Sequence, residues 1–116
     1  MKESIIKQKS FDFSLDIIKL YSFLIENKEF VISKQLLRSA TSIGANVNEA
    51  LAAESKADFI HKMAISSKEA RESLYWLELL KQSQIVAFDC NIYIQNCTEI
   101  AKILTSIVKT TKENLK

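Results

Sequence analysis

Few residues in this chain could do acid–base or metal chemistry. Its 116 residues include one histidine, His61, three positions after Asp58 in Asp58-Phe59-Ile60-His61. That spacing matches the Glu-x-x-His element of di-iron bundles, but such centres need two of these elements and further carboxylates on facing helices. The plainer expectation is that Asp58 serves a helix start while His61 faces solvent one turn in. A helical nuclease of the Arg-x-x-x-x-His type is not encoded, because Lys56 stands five residues before His61. Serines are plentiful, yet nothing places one on a strained turn beside an oxyanion hole. Cys90 falls near a predicted helix start, where a thiol pKa can drop; a packing role is the simpler reading. Cys90 and Cys97 lie seven apart on one predicted helix. That is about 10 Å along its axis, too far for a disulfide. Asn96-Cys97-Thr98 fits the glycosylation pattern only by chance, since it falls inside a helix. These readings predict no enzyme activity, no metal and no cofactor.

Two other groups of polar residues have helical spacing. Arg38, Ser42, Asn46 and Glu49 follow one face, and Ser66, Glu69, Arg71 and Ser73 crowd the middle of the next segment. They read either as a polar site between helices or as an interhelical network that sets register, with Arg38, Ser42, Asn46, Glu49, Glu69 and Arg71 as its members. The second group is basic. Lys102, Lys109, Lys112 and Lys116 run along the end of the chain, and Lys2, Lys7 and Lys9 along its start. In an antiparallel bundle these ends meet, giving a candidate surface for RNA or DNA. Its other reading is a solvated helix end favourable to the macrodipole. No aromatics interleave with these lysines, so binding would be led by phosphates and sensitive to salt.

The elements that must position these residues are helices. One Gly and no Pro, against usual frequencies of roughly 7% and 5%, leave too few turn residues for a sandwich or barrel. Hydrophobic residues make up 47% and charged ones 26%, with 16 Lys and Arg against 14 Asp and Glu for a net +2. Four periodic runs follow. The first spans about Glu3 to Asn27, with a seam of Phe11, Leu15, Ile18, Ser22 and Ile25 widened by Ile17, Tyr21 and Leu24. Ser33 is the expected N-cap of the second, about Lys34 to Glu54, with Leu36, Ala40, Ile43, Val47 and Ala50 as its seam. Ser55 and Asp58 resemble a capping box before the third, about Lys56 to Ser83. Its seam is Ile60, Met63, Ser67, Ala70, Leu74 and Leu77. Asp89 is the expected cap of the fourth, about Cys90 to Asn114, with Tyr93, Cys97, Ile100, Leu104 and Ile107.

Short connections between long helices predict one all-α domain over residues 1–116, an antiparallel up-and-down four-helix bundle. Two second rows, Leu37-Gly44-Leu51 and Ile94-Ala101-Val108, exceed the needs of a lone bundle and predict a homo-oligomer interface. Gly44, mid-helix, points to close approach by a neighbouring helix backbone. No apolar run reaches the roughly 18 residues of a membrane span. Asp12, Asp16 and Lys19 break up the candidate leader. The expected setting is the cytoplasm.

Two stretches carry a resemblance. They are Lys34 to Ala50, KQLLRSATSIGANVNEA, and Asp58 to Leu77, DFIHKMAISSKEARESLYWL. The chain resembles the small bacterial four helix bundle proteins along nearly its whole length. These include proteins encoded by intervening sequences in large-subunit ribosomal RNA genes and the accessory protein of diversity-generating retroelements. The resemblance implies a ring-shaped homopentamer. For the retroelement members it also implies a basic surface that binds nucleic acid and a reverse transcriptase. The family pattern usually has Gly after the Glu49 position, where Ala50 stands here. The resulting expectation is a non-enzymatic, self-associating accessory or adaptor. Its partner is RNA or DNA, a reverse transcriptase or ribonucleoprotein, or in the alternative protein alone.

Overall fold

The four periodic runs become four helices in the computed structural model, which describes residues 2–115. They are α1 (Lys2–Glu26), α2 (Ile32–Leu51), α3 (Lys56–Ser83) and α4 (Asn91–Asn114). Paired contacts fix the direction of each. Ser10 lies against Gly44 while Ser14 reaches the Ala40 carbonyl; Ser39 bonds Ser73 while Ser66 donates to the Ile43 carbonyl; Lys2 bonds Ser106 while Lys9 pairs with Glu99; and Cys97 donates to the Ala70 carbonyl. Successive helices therefore run antiparallel, and α4 returns beside α1. The α2/α3 seam is the most extensive and α1/α4 the sparsest. The result is a rod of 49 × 21 × 21 Å. No helix among the described residues is long and apolar enough to cross a membrane.

Three of the four expected seams face the core. In α2, Leu36, Ala40, Ile43, Val47 and Ala50 are all buried; in α3, Met63, Ser67, Ala70 and Leu77 are buried and Ile60 and Leu74 half-buried; in α4, Cys97, Ile100, Leu104 and Ile107 are buried and Tyr93 half-buried. The seam read for α1 is corrected. Ile6, Ser10, Phe13, Ile17, Leu20 and Leu24 turn inward, while Phe11, Leu15 and Ile18 are exposed. Both rows step by four and three, so periodicity alone did not choose between them. Small Ser10 lies against Gly44, where an added Cβ would stand 3.5 Å from the Ser10 carbonyl oxygen. A small residue on each side lets α1 and α2 approach closely, and that contact sets the rotation of α1.

The helix ends also depart from the expected chemistry. Ser33 is not the cap of α2: it is buried inside the helix and donates to the Glu29 carbonyl. The cap is the Glu29 carboxylate, which accepts from the N–H groups of Val31, Ile32 and Ser33 at 2.6–3.1 Å. Three orphan donors of the first turn are satisfied by one side chain. Burial pushes the Glu29 carboxyl up, but the Ser33, Ile32 and Val31 N–H bonds outweigh it and hold it below the usual carboxylate range. Ser55 caps α3 as expected, accepting from the Asp58 N–H at 3.1 Å. Asp89 accepts from the Asn91 N–H at 2.9 Å at the start of α4. In this glycine-poor chain, Lys28 and Gln84 take the left-handed positions after α1 and α3, with φ of 64° and 54°. Helix α2 stops at Leu51 rather than Glu54.

Candidate functional site

The second apolar rows are spent mostly inside the bundle. Leu37, Ile94, Ala101 and Val108 are half-buried against the core, Gly44 is buried against α1, and Leu51 alone of the six is exposed, at 39%. Each helix of a square bundle meets two neighbours, so it needs more than one narrow apolar row. The unspent apolar surface lies elsewhere. Phe11, Leu15 and Ile18 stand 57%, 44% and 47% exposed along the outer face of α1, with Ile5 exposed a turn and a half before them. Beside Phe11 a recess of about 490 Å³ opens between α1 and α2, its floor made by Ser10, Ser14, Gly44 and Ala45. Phe30, Val31 and Ile85 are exposed on the two connections at one end of the rod.

The interhelical polar residues gather around α2 and α3. Arg38 bridges Glu69 at 3.0 Å and Glu72, and Glu72 also accepts from the Trp76 indole at 3.0 Å. The Trp76 bond first, and the Arg38 guanidinium after it, hold the Glu72 carboxyl below its ordinary range; Arg38 is raised in turn, chiefly by Glu72. Glu72 and Trp76 had no place in the expected network. Their i, i+4 spacing was the available signal. Ser42 and Asn46 bond within α2, to the Arg38 and Ser42 carbonyls. Glu49 is exposed. Arg71 lies away from this group, in the groove between α3 and α4. Buried serines make the remaining crossings: Ser39 and Ser73 share a 2.8 Å bond, and Ser66 reaches α2.

The seven lysines divide into smaller sets. Lys9 is 2.6 Å from Glu99, and Lys2 bonds Ser106, so both tie α1 to α4. Lys7 borders the α1/α2 recess. Lys102, Lys109 and Lys112 line the α3/α4 groove with Arg71. Lys116 lies outside the described residues.

His61 is exposed on the second turn of α3. No three of His, Cys, Asp and Glu gather as a metal site among the described residues. Both thiols are free and buried. Burial, then Asp89, pushes the Cys90 thiol up; burial pushes Cys97 up to about 12. Neither is a poised nucleophile.

These features define a small all-α bundle whose distinctive surfaces are an apolar stripe and a basic groove. The chain belongs to the family described as 23S rRNA-intervening sequence protein, whose model matches residues 2–106. A crystal structure of a protein of unknown function from the S23 ribosomal protein family of Bacteroides thetaiotaomicron is similar to it. The two are 50% identical with a TM-score of 0.90, over 94% of this chain and 99% of that one. Among curated proteins none matches.

Proposed function

We propose that this protein is a non-catalytic accessory protein that self-associates through α1, as the pentamer implied by its family, and engages nucleic acid electrostatically. The carrying observation is the exposed row of Phe11, Leu15 and Ile18. A solvated helix face ordinarily carries polar residues at such positions, and a contiguous apolar row marks a contact surface. Closed assembly would also repeat the modest +2 of each protomer around one axis, creating a field a single copy lacks. The family's ribosomal RNA gene setting is compatible with an RNA partner or a ribonucleoprotein.

Light scattering after size exclusion tests the assembly. The expected mass is five times 13.2 kDa. Phe11→Asp with Ile18→Asp is expected to yield single protomers with unchanged helicity, since both side chains are exposed. A wild-type mass of 13.2 kDa at micromolar concentration would sink the proposal. The near balance of charge and the neutralisation of Lys9 by Glu99 favour a second reading, a scaffold that binds protein alone. An electrophoretic shift on RNA and DNA at low salt separates the two, and its absence selects the scaffold.

A further inference from the structure

We propose that the groove between α3 and α4, centred on Arg71, is a track for the sugar–phosphate backbone of a nucleic-acid strand. This rests on the nucleic-acid reading above and places it on particular residues. Two recesses, of about 340 and 280 Å³, lie along these helices and share Arg71 and Thr105, so they continue into one another. From Thr98 to Lys112 the shared face of α4 is about 21 Å long at 1.5 Å per residue. Its charged members are Arg71, Lys102, Lys109 and Lys112, and among the described residues no carboxylate lines either recess.

The two arginines of the chain show what is distinctive here. Arg38 is held by two glutamates, whereas Arg71 is exposed and makes no ion pair within 4.0 Å among the described residues. Glu99, the carboxylate nearest Lys102 in sequence, is drawn toward α1 by Lys9. The groove thus keeps its positive charge although the chain is nearly neutral. An arginine fork can take two oxygens of one phosphate, and lysines add point charges beside it. Thr98, Thr105 and Ser67 lie along the same walls; the Thr98 and Thr105 hydroxyls donate to the Ile94 and Ala101 carbonyls of their own helix, so the charged side chains carry the phosphate contacts. Ala64, Ala101 and Val108 complete the lining, and no aromatic ring joins them. Contacts made to phosphates carry no sequence information, so recognition is independent of sequence.

Fluorescence anisotropy with a labelled single-stranded RNA of mixed sequence tests the assignment. Four phosphate contacts predict that wild-type affinity falls roughly 50-fold between about 50 and about 200 mM salt. Arg71→Ala with Lys109→Ala is expected to weaken binding roughly tenfold or more at the lower salt and to halve the salt slope. Lys2→Ala with Lys7→Ala, which leaves the Lys9–Glu99 pair in place, is expected to change affinity by no more than about twofold, with melting curves confirming that every variant folds. If the wild type fails to bind, the nucleic-acid reading falls and the track with it. If the wild type binds and the groove variant keeps its affinity and slope, only the track is overturned. Unlabelled inorganic polyphosphate is expected to displace the RNA; failure at a large excess of phosphate overturns backbone recognition. So does a difference of tenfold or more between homopolymers.

Discussion

Glu29 shows how one side chain can govern a helix start. Its carboxylate replaces three missing hydrogen bonds of α2 from a buried position. Glu29→Ala is expected to cost about 2 kcal/mol in chemical denaturation, the upper part of the range for a lost cap. Because its folded pKa lies below the ordinary 4.5, this contribution is complete above the unfolded value and is lost as pH falls through the folded one. Wild-type stability should therefore decline on acidification below pH 4.5 more than that of Glu29→Ala. Cys97 behaves oppositely: a thiol pushed up to about 12 should resist alkylation at neutral pH until the chain unfolds, which pulsed labelling across a denaturant series would show. Arg38 is half exposed although it reaches two carboxylates. Solvent screening limits the expected loss in Arg38→Ala to about 1 kcal/mol or less.

At the scale of the element, the missing glycines matter as much as the apolar periodicity. After α1, the Glu29 N–H bonds the Leu24 carbonyl and the Lys28 N–H bonds the Ile25 carbonyl, with Lys28 left-handed between them. This is a Schellman ending built without glycine. Lys28→Gly is expected to raise stability by about 1 kcal/mol, relieving the left-handed strain on a residue with a Cβ; a thermal melt would register it. Gly44 poses the converse case. An alanine Cβ there would meet Ser10 at 3.5 Å, an ordinary contact, so Gly44→Ala should be neutral or stabilising by up to about 1 kcal/mol. A larger side chain would force α1 away from α2. Close approach was legible in the lone glycine of α2, but its partner was not, because Ser10 is 34 residues away in sequence.

At the scale of the whole molecule, the arrangement separates surfaces that the linear charge pattern merges. Lysines at the two ends of the chain do share an end of the rod, yet Lys9 and Lys2 are engaged between α1 and α4 while Lys102, Lys109 and Lys112 join Arg71 on another side. Arg71 reads as a network member because it lies two residues from Glu69, but i and i+2 point apart on a helix. The structure accordingly sends Glu69 toward Arg38 and Arg71 toward α4.

From its sequence alone this protein was determined to be all-α, with four helices, the inward faces of three of them and the start of α3, because those depend on local period and capping chemistry. Only tertiary packing decided which of two equally periodic rows on α1 is inward, which carboxylate starts α2 and which cations share a groove. Those choices depend on what stands opposite: a serine small enough to meet Gly44, a buried glutamate at the turn, and, among the described residues, a groove beside Arg71 lined by lysines and no carboxylate. A single helix's period cannot specify its neighbour.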